Sequence, residues 1–148
     1  MNGAYAGSTS RIRRPRGIDL PRVLIAAATT ASSFAIAQAL RDAGYVVSTA
    51  HTSTDLARDL RTQQATELVV IDGSDGHWML ESLIESIRAI NWALPILLIS
   101  RPDPQLRAEA ERQGVEGFLE TPVAPEEICR AAANIVPVVS EVELDLAG

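Results

Sequence analysis

The sequence predicts an α/β fold built on a parallel, doubly wound sheet, and three observations predict it. Five short apolar runs recur along the chain, each too short to be anything but a strand. After each run comes a stretch with apolar residues at helical spacing, opened by a capping residue or an N-terminal proline and in two cases stopped by glycine. The connections between them are short, as alternating βα units require.

Arg22-Val23-Leu24-Ile25-Ala26-Ala27-Ala28 is a continuous apolar run, the mark of a strand buried on both faces. Ser32 or Ser33 is positioned to cap a helix whose Ile36, Ala39, Leu40 and Ala43 form one stripe, and Gly44 stops it. Tyr45 to Ala50 reads as the second strand, and Ser53 as the cap of a helix carrying Leu56 and Leu60. Leu68 to Ile71 is a third buried strand ending at Asp72. The loop Gly73-Ser74-Asp75-Gly76 then leads to a helix with Leu80, Leu83, Ile84 and Ile87 on one face. Pro95 to Ser100 is the fourth strand, with the proline tolerated at its start. Asp103-Pro104 is an N-cap followed by a first-turn proline, and that helix runs to a stop at Gly114. Val115 to Leu119 is the fifth strand. Ala124-Pro125-Glu126-Glu127 opens the fifth helix with acidic residues where the helix dipole favours them.

Composition bounds the function. Of 148 residues, 47% are hydrophobic and 22% charged, which fits one globular domain and argues against general disorder. No apolar stretch approaches the ~20 residues of a membrane-spanning helix. The N-terminus lacks a signal-peptide pattern, so a cytoplasmic location is expected. Cys129, the one cysteine, excludes an intrachain disulfide and a cysteine-rich zinc site. All 13 basic residues are arginine; four of them (Arg11, Arg13, Arg14, Arg16) precede the first strand. Removing those four from the net charge of −6 leaves about −10 on the remainder, a poor platform for nucleic acid. Residues 1–20 therefore read as a flexible basic leader, 21–137 as the domain, and 138–148 as an acidic C-terminal tail.

Ligands of open α/β sheets bind at the carboxyl ends of the strands, so the strand-ending residues carry the functional reading. These are Ala27-Ala28, Asp72, Ser100 and the run Gly117-Phe118-Leu119-Glu120-Thr121-Pro122. Gly114 to Pro122 resembles the signature of receiver domains of bacterial response regulators: glycine, a short strand with an aromatic, then Lys-Pro. Pro95 to Ser100 resembles their fourth strand with its terminal Ser or Thr, and Glu67 to Asp72 their third strand with its phosphoacceptor aspartate. Ala28, Asp72, Ser100 and Thr121 follow one another at 44, 28 and 21 residues, close to the family's spacing.

The resemblance implies a flavodoxin-like (βα)5 three-layer sandwich with sheet order 2-1-3-4-5, helices one and five on one face and two to four on the other. It also implies a cis peptide at Thr121-Pro122. Asp72 takes the phosphoacceptor position, and Ser100 and Phe118 the switch positions. The sequence departs from the family at three places. Ala27 and Ala28 stand where an acidic pair holds Mg²⁺, and Thr121 stands where a lysine pairs with phosphoryl oxygens. Weak or absent Mg²⁺ binding, no other cofactor and no enzymatic activity are thus expected. The implied role is a stand-alone signalling module of two-component or phosphorelay type. It would act by docking a protein partner or a second copy through the face of the fourth helix, fifth strand and fifth helix, with little or no aspartyl phosphorylation. The alternative is a receiver phosphorylated on Asp72 by a histidine kinase. A nucleotide-binding flavodoxin-like domain has no supporting motif: Gly73-x-x-Gly76 lacks the Lys-Ser/Thr of a phosphate loop. Asp72 and Asp75 each have a plainer reading as loop or cap carboxylates, and Ser100 as a strand-end hydroxyl. His51 and His77, far apart in sequence, read as surface residues, and Cys129 as core.

Overall fold

The computed structural model describes residues 20–63 and 65–138, so all but the last residue of the expected leader and all but the first residue of the expected tail lie outside the described residues. Ten elements alternate strictly: β1 (Arg22–Ala26), α1 (Thr30–Asp42), β2 (Val46–Ala50), α2 (Ser53–Thr62), β3 (Thr66–Asp72), α3 (Leu80–Ile90), β4 (Ile96–Ser100), α4 (Pro104–Arg112), β5 (Gly117–Glu120) and α5 (Pro125–Ile135). All strand pairs are parallel and the sheet order is β2-β1-β3-β4-β5, as the resemblance implied.

Because the three inner strands are covered on both sides, alternate residues feed two cores. Leu24, Val69, Ile71, Ile96 and Leu98 meet Leu56 and Leu60 of α2, Leu83, Ile84 and Ile87 of α3, and Leu106 of α4. Val23, Ile25, Val70, Leu97 and Ile99 meet Ile36 and Leu40 of α1 with Ile128 and Ala132 of α5. Cys129 packs at the edge of the second core, half-buried, where burial pushes its thiol pKa up. Val138, assigned to the tail by the sequence, packs on this core as well.

The element ends show where local chemistry decided otherwise. Helix α1 begins earlier than Ser32 or Ser33: Thr29 is the N-cap, and its hydroxyl accepts the Ser32 N–H at 3.0 Å. Ser32 Oγ in turn accepts the Thr29 N–H at 3.1 Å, a reciprocal capping box. In the same way Thr52, not Ser53, caps α2 by accepting the Asp55 N–H at 3.0 Å. Asp103 caps α4 as the sequence predicted. Ala124, which has no side-chain acceptor, opens α5, and Glu127 Oε1 reaches back to accept its N–H at 2.9 Å. Gly44 and Gly114 both follow a helix with φ of +105° and +74°, the left-handed turn that only glycine adopts without strain.

Candidate functional site

Strand β1 ends at Ala26, so Ala27 and Ala28 lie just past it, at the top of the sheet, rather than within the strand. Ala27 is fully buried, donates its N–H to the Ala50 carbonyl at 3.1 Å, and packs with Ile36 and Ala37. Asp72 ends the neighbouring strand β3 at 8% exposure. Its Oδ1 accepts two hydrogen bonds from Ser74, from Oγ at 2.7 Å and from the backbone N–H at 3.2 Å. Asp72 is thus tied to its own loop and does not cap α3, whose N-cap is Met79 with no side-chain bond. Asp75 closes a second small turn by accepting the His77 N–H at 3.0 Å.

Across the gap, Ser100 ends β4 at 4% exposure and donates Oγ to the Arg101 carbonyl at 2.9 Å, while its own carbonyl accepts the Thr121 N–H at 2.9 Å. Arg101 turns back over the strand ends, and its Nε donates to the Ser74 carbonyl at 2.9 Å. A guanidinium therefore lies over the loop that follows Asp72. Thr121, half-buried, begins the turn whose Thr121-Pro122 peptide is cis. Phe118 of β5 is also half-buried, against the core beneath α2–α4, and the Arg107 guanidinium sits 5.1 Å from its ring centroid.

The fold brings together two residues that sequence separation keeps apart. His51 is half-buried, not a free surface side chain, with Nδ1 2.8 Å from the Ala27 carbonyl. A carbonyl only accepts, so the N–H is on Nδ1. The His51 carbonyl in turn accepts from His77 Nε2 at 3.3 Å, linking the loop after β3 to the end of β2. No residue periodicity signals this chain of contacts; it follows from β1 lying between β2 and β3. The backbone just past β1 is thereby backed by an imidazole that ties up the Ala27 carbonyl.

As a cation site the donor set is thin. Mg²⁺ needs several hard oxygen ligands, usually including one or two carboxylates. Here Asp72 is the one carboxylate at the ends of β1, β3 and β4, one of its oxygens is committed to Ser74, and the residues just past β1 are Ala27 and Ala28. Among the described residues no three His, Cys, Asp or Glu side chains gather where they could hold a metal. No helix among them is long and apolar enough to cross a membrane.

No family model matches this sequence, and no curated protein sequence matches it. Solved structures do. The chain is similar to a response regulator receiver domain protein from Clostridium thermocellum, with TM-score 0.71 and 19% identity over 79% of this chain and 94% of that one. It is similar to the non-phosphorylated HemR receiver domain from Leptospira biflexa, with TM-score 0.69 and 22% identity over 81% and 97%. A putative pilus assembly-related protein from Burkholderia pseudomallei matches at TM-score 0.66 and 19% identity over 86% and 98%. The chain has the CheY-like, receiver-type fold.

Proposed function

We propose that this chain is a non-enzymatic, receiver-like signalling module of two-component or phosphorelay type. In this reading it acts by protein–protein contact with little or no aspartyl phosphorylation and binds Mg²⁺ weakly or not at all. One observation carries the proposal: at the strand ends of a receiver-type sheet, the acidic-pair positions are Ala27 and Ala28, while the Asp72 carboxylate is already held by Ser74. Attack by a carboxylate on a phosphoryl donor brings negative charges together, and a divalent cation and an ammonium normally offset that. Ala27, Ala28 and Thr121 supply neither. In this reading Asp72 is a vestigial phosphoacceptor, and Ser100 and Phe118 keep the switch positions without the phosphoryl group that would throw them.

Docking through α4, β5 and α5 fits a charged partner, because Arg107 there lies 3.6 Å from Glu111 and 3.7 Å from Glu120. A cytoplasmic location accords with this role. A second reading, phosphorylation of Asp72 by a histidine kinase, is favoured by one specific observation. Arg101 over the Ser74 carbonyl places a positive charge beside the site, in the absence of a lysine at Thr121.

Labelled acetyl phosphate with and without Mg²⁺, on the native chain and on Asp72→Asn, separates the two. The proposal expects no label above the Asp72→Asn background. Stoichiometric, Mg²⁺-dependent label lost in Asp72→Asn would overturn it in favour of the second reading.

A further inference from the structure

We infer that the outer edge of β2 is a docking site for this chain's own tail, with Glu141 to Leu146 adding to it as a parallel strand. Strand β2 ends the sheet, with β1 on one side only. Val46 donates its N–H to the Pro21 carbonyl at 2.9 Å, and the Ala50 carbonyl accepts from Ala27 at 3.1 Å. Val46, Ser48 and Ala50 thus turn their backbone groups towards β1, and Val47 and Thr49 turn theirs outward. Arg41 Nη2 holds the outward Val47 carbonyl at 3.3 Å. Among the described residues no hydrogen bond meets the Val47 N–H, or the N–H and carbonyl of Thr49. Such an edge is a ready template for another strand. Phe34 stands over it as well. It precedes Arg41 by seven residues on the same flank of α1, about 10 Å further along the helix, and is 63% exposed.

Three observations name the tail as the occupant. The chain after α5 arrives at this edge and not at β5. The Val136 carbonyl accepts the Tyr45 hydroxyl at 2.6 Å, and a side chain at Gly44 would come within 3.0 Å of Val138 Cγ1, so Val138 sits beside the residues that lead into β2. The sequence beyond it then alternates strictly, with Val142, Leu144 and Leu146 apolar and Glu141, Glu143 and Asp145 acidic. That is the pattern of a strand with one covered face. The connection also has the allowed hand. Helices α1 and α5 pack on the same face of the sheet, and β5-α5-tail moves towards the β2 edge just as β1-α1-β2 does. With Val139 and Ser140 as the turn, Val142 falls beside Val47 and Leu144 beside Thr49. Val47 belongs to the core under α1, so the tail's apolar side chains lie beneath Phe34 and its carboxylates face the other way, into water. In this register the Glu143 N–H takes over the Val47 carbonyl from Arg41, and the Glu143 carbonyl accepts the Thr49 N–H. The surface is separate from the α4-β5-α5 face, and its use does not depend on whether Asp72 is phosphorylated.

Amide hydrogen exchange of the full chain, read residue by residue by NMR, tests this. Glu143→Pro deletes the N–H that the Val47 carbonyl would accept, so exchange at Val47 and Thr49 should speed up at least about tenfold. Glu143→Ala keeps that N–H and should leave both amides as slow as in the native chain. Leu144→Asp and Phe34→Glu should each release them, while the inner amides of β1 and β3 stay protected and show that the sheet is intact. In a Cys129→Ser background, Ser48→Cys with Glu143→Cys should cross-link within one chain under mild oxidation, and Ser86→Cys with Glu143→Cys should not. Val47 and Thr49 amides that exchange equally fast in the native chain and in Glu143→Pro overturn the inference. So does protection that grows with protein concentration, or a Ser48–Glu143 cross-link found only between chains, since the tail would then lie on a second copy. The phosphorylation assay above is blind to all of these outcomes, so the two proposals fail separately.

Discussion

Replacing Ser74 by alanine isolates the contact that holds the Asp72 carboxylate. Two hydrogen bonds reach Oδ1, at 2.7 Å from the hydroxyl and 3.2 Å from the backbone N–H, and Ser74→Ala removes the shorter one. A hydrogen bond to a charged group contributes about 1.5–3 kcal/mol net, and at 8% exposure water replaces it poorly. The alanine itself fits, because it only deletes an oxygen on a loop. A loss of roughly 2 kcal/mol is therefore expected, which for a domain of this size lowers Tm by about 4–8 °C. Urea denaturation of native, Ser74→Ala, Asp72→Asn and the double variant gives the interaction directly as a double-mutant cycle. Coupling above ~1 kcal/mol supports the tie. A Ser74→Ala chain within about 0.5 kcal/mol of native, with no coupling to Asp72→Asn, would refute the reasoning. The site would then be open for other chemistry at Asp72.

Arg88 predicts a larger effect far from the strand tops. Its guanidinium donates to the carbonyls of Gln113 at 2.7 Å, Leu94 at 2.6 Å and Gly114 at 3.0 Å, clamping α3 to the turn between α4 and β5. Arg88→Ala should cost about 3 kcal/mol, and Arg88→Lys should not recover it, because one ammonium cannot copy the planar fork; thermal melts of both check this. Tyr45 predicts an alkaline effect. Its hydroxyl donates to the Val136 carbonyl at 2.6 Å, and burial first, then the nearby Cys129, pushes its pKa up to about 12. A raised folded-state pKa stabilises the protein below the unfolded value near 10 and loses that contribution as pH rises towards 12. Unfolding measured against pH should fall in this window for the native chain and fall less for Tyr45→Phe.

The architecture was legible because each of its determinants is local. The apolar runs at Val23–Ala26, Leu68–Ile71 and Ile96–Ile99 announce strands buried on both faces, and Gly44 and Gly114 announce helix ends. Boundaries moved where two residues competed for one role. Thr29 outcompeted Ser32 and Ser33 as the cap because Ser32, at the third helical position, could return a hydrogen bond. That Asp72 and Ser100 end strands, that Phe118 lies on β5 and that Thr121 follows it was readable from order and spacing. Their partners were not. The Arg101–Ser74 and His51–Ala27 contacts depend on which strands lie side by side and on rotamers chosen in three dimensions. Arg88 carried no signal at all, since an arginine near a helix C-terminus is an ordinary surface residue until the turn at Gln113-Gly114 arrives beneath it.

The residues at the strand ends make sense together rather than singly. Two carboxylates about 5 Å apart at an effective dielectric of 20 repel by roughly 3 kcal/mol, so an acidic pair beside Asp72 is tolerable only with a cation between them. Alanine at 27 and 28 removes both the repulsion and the reason for the cation. Asp72 then faces a different problem: a mostly buried carboxylate still needs donors. Ser74 supplies two, and Arg101, bound to the Ser74 carbonyl, adds a neighbouring positive charge from the end of β4. The same exchange explains His51, whose N–H satisfies the Ala27 carbonyl where that backbone turns away from the sheet. The Asp72 carboxylate is thus held by side chains of its own surroundings. It follows that introducing carboxylates at Ala27 and Ala28 alone would create that repulsion without the surroundings that relieve it, since Ala27 is fully buried in the core that holds Ile36 and Ala37.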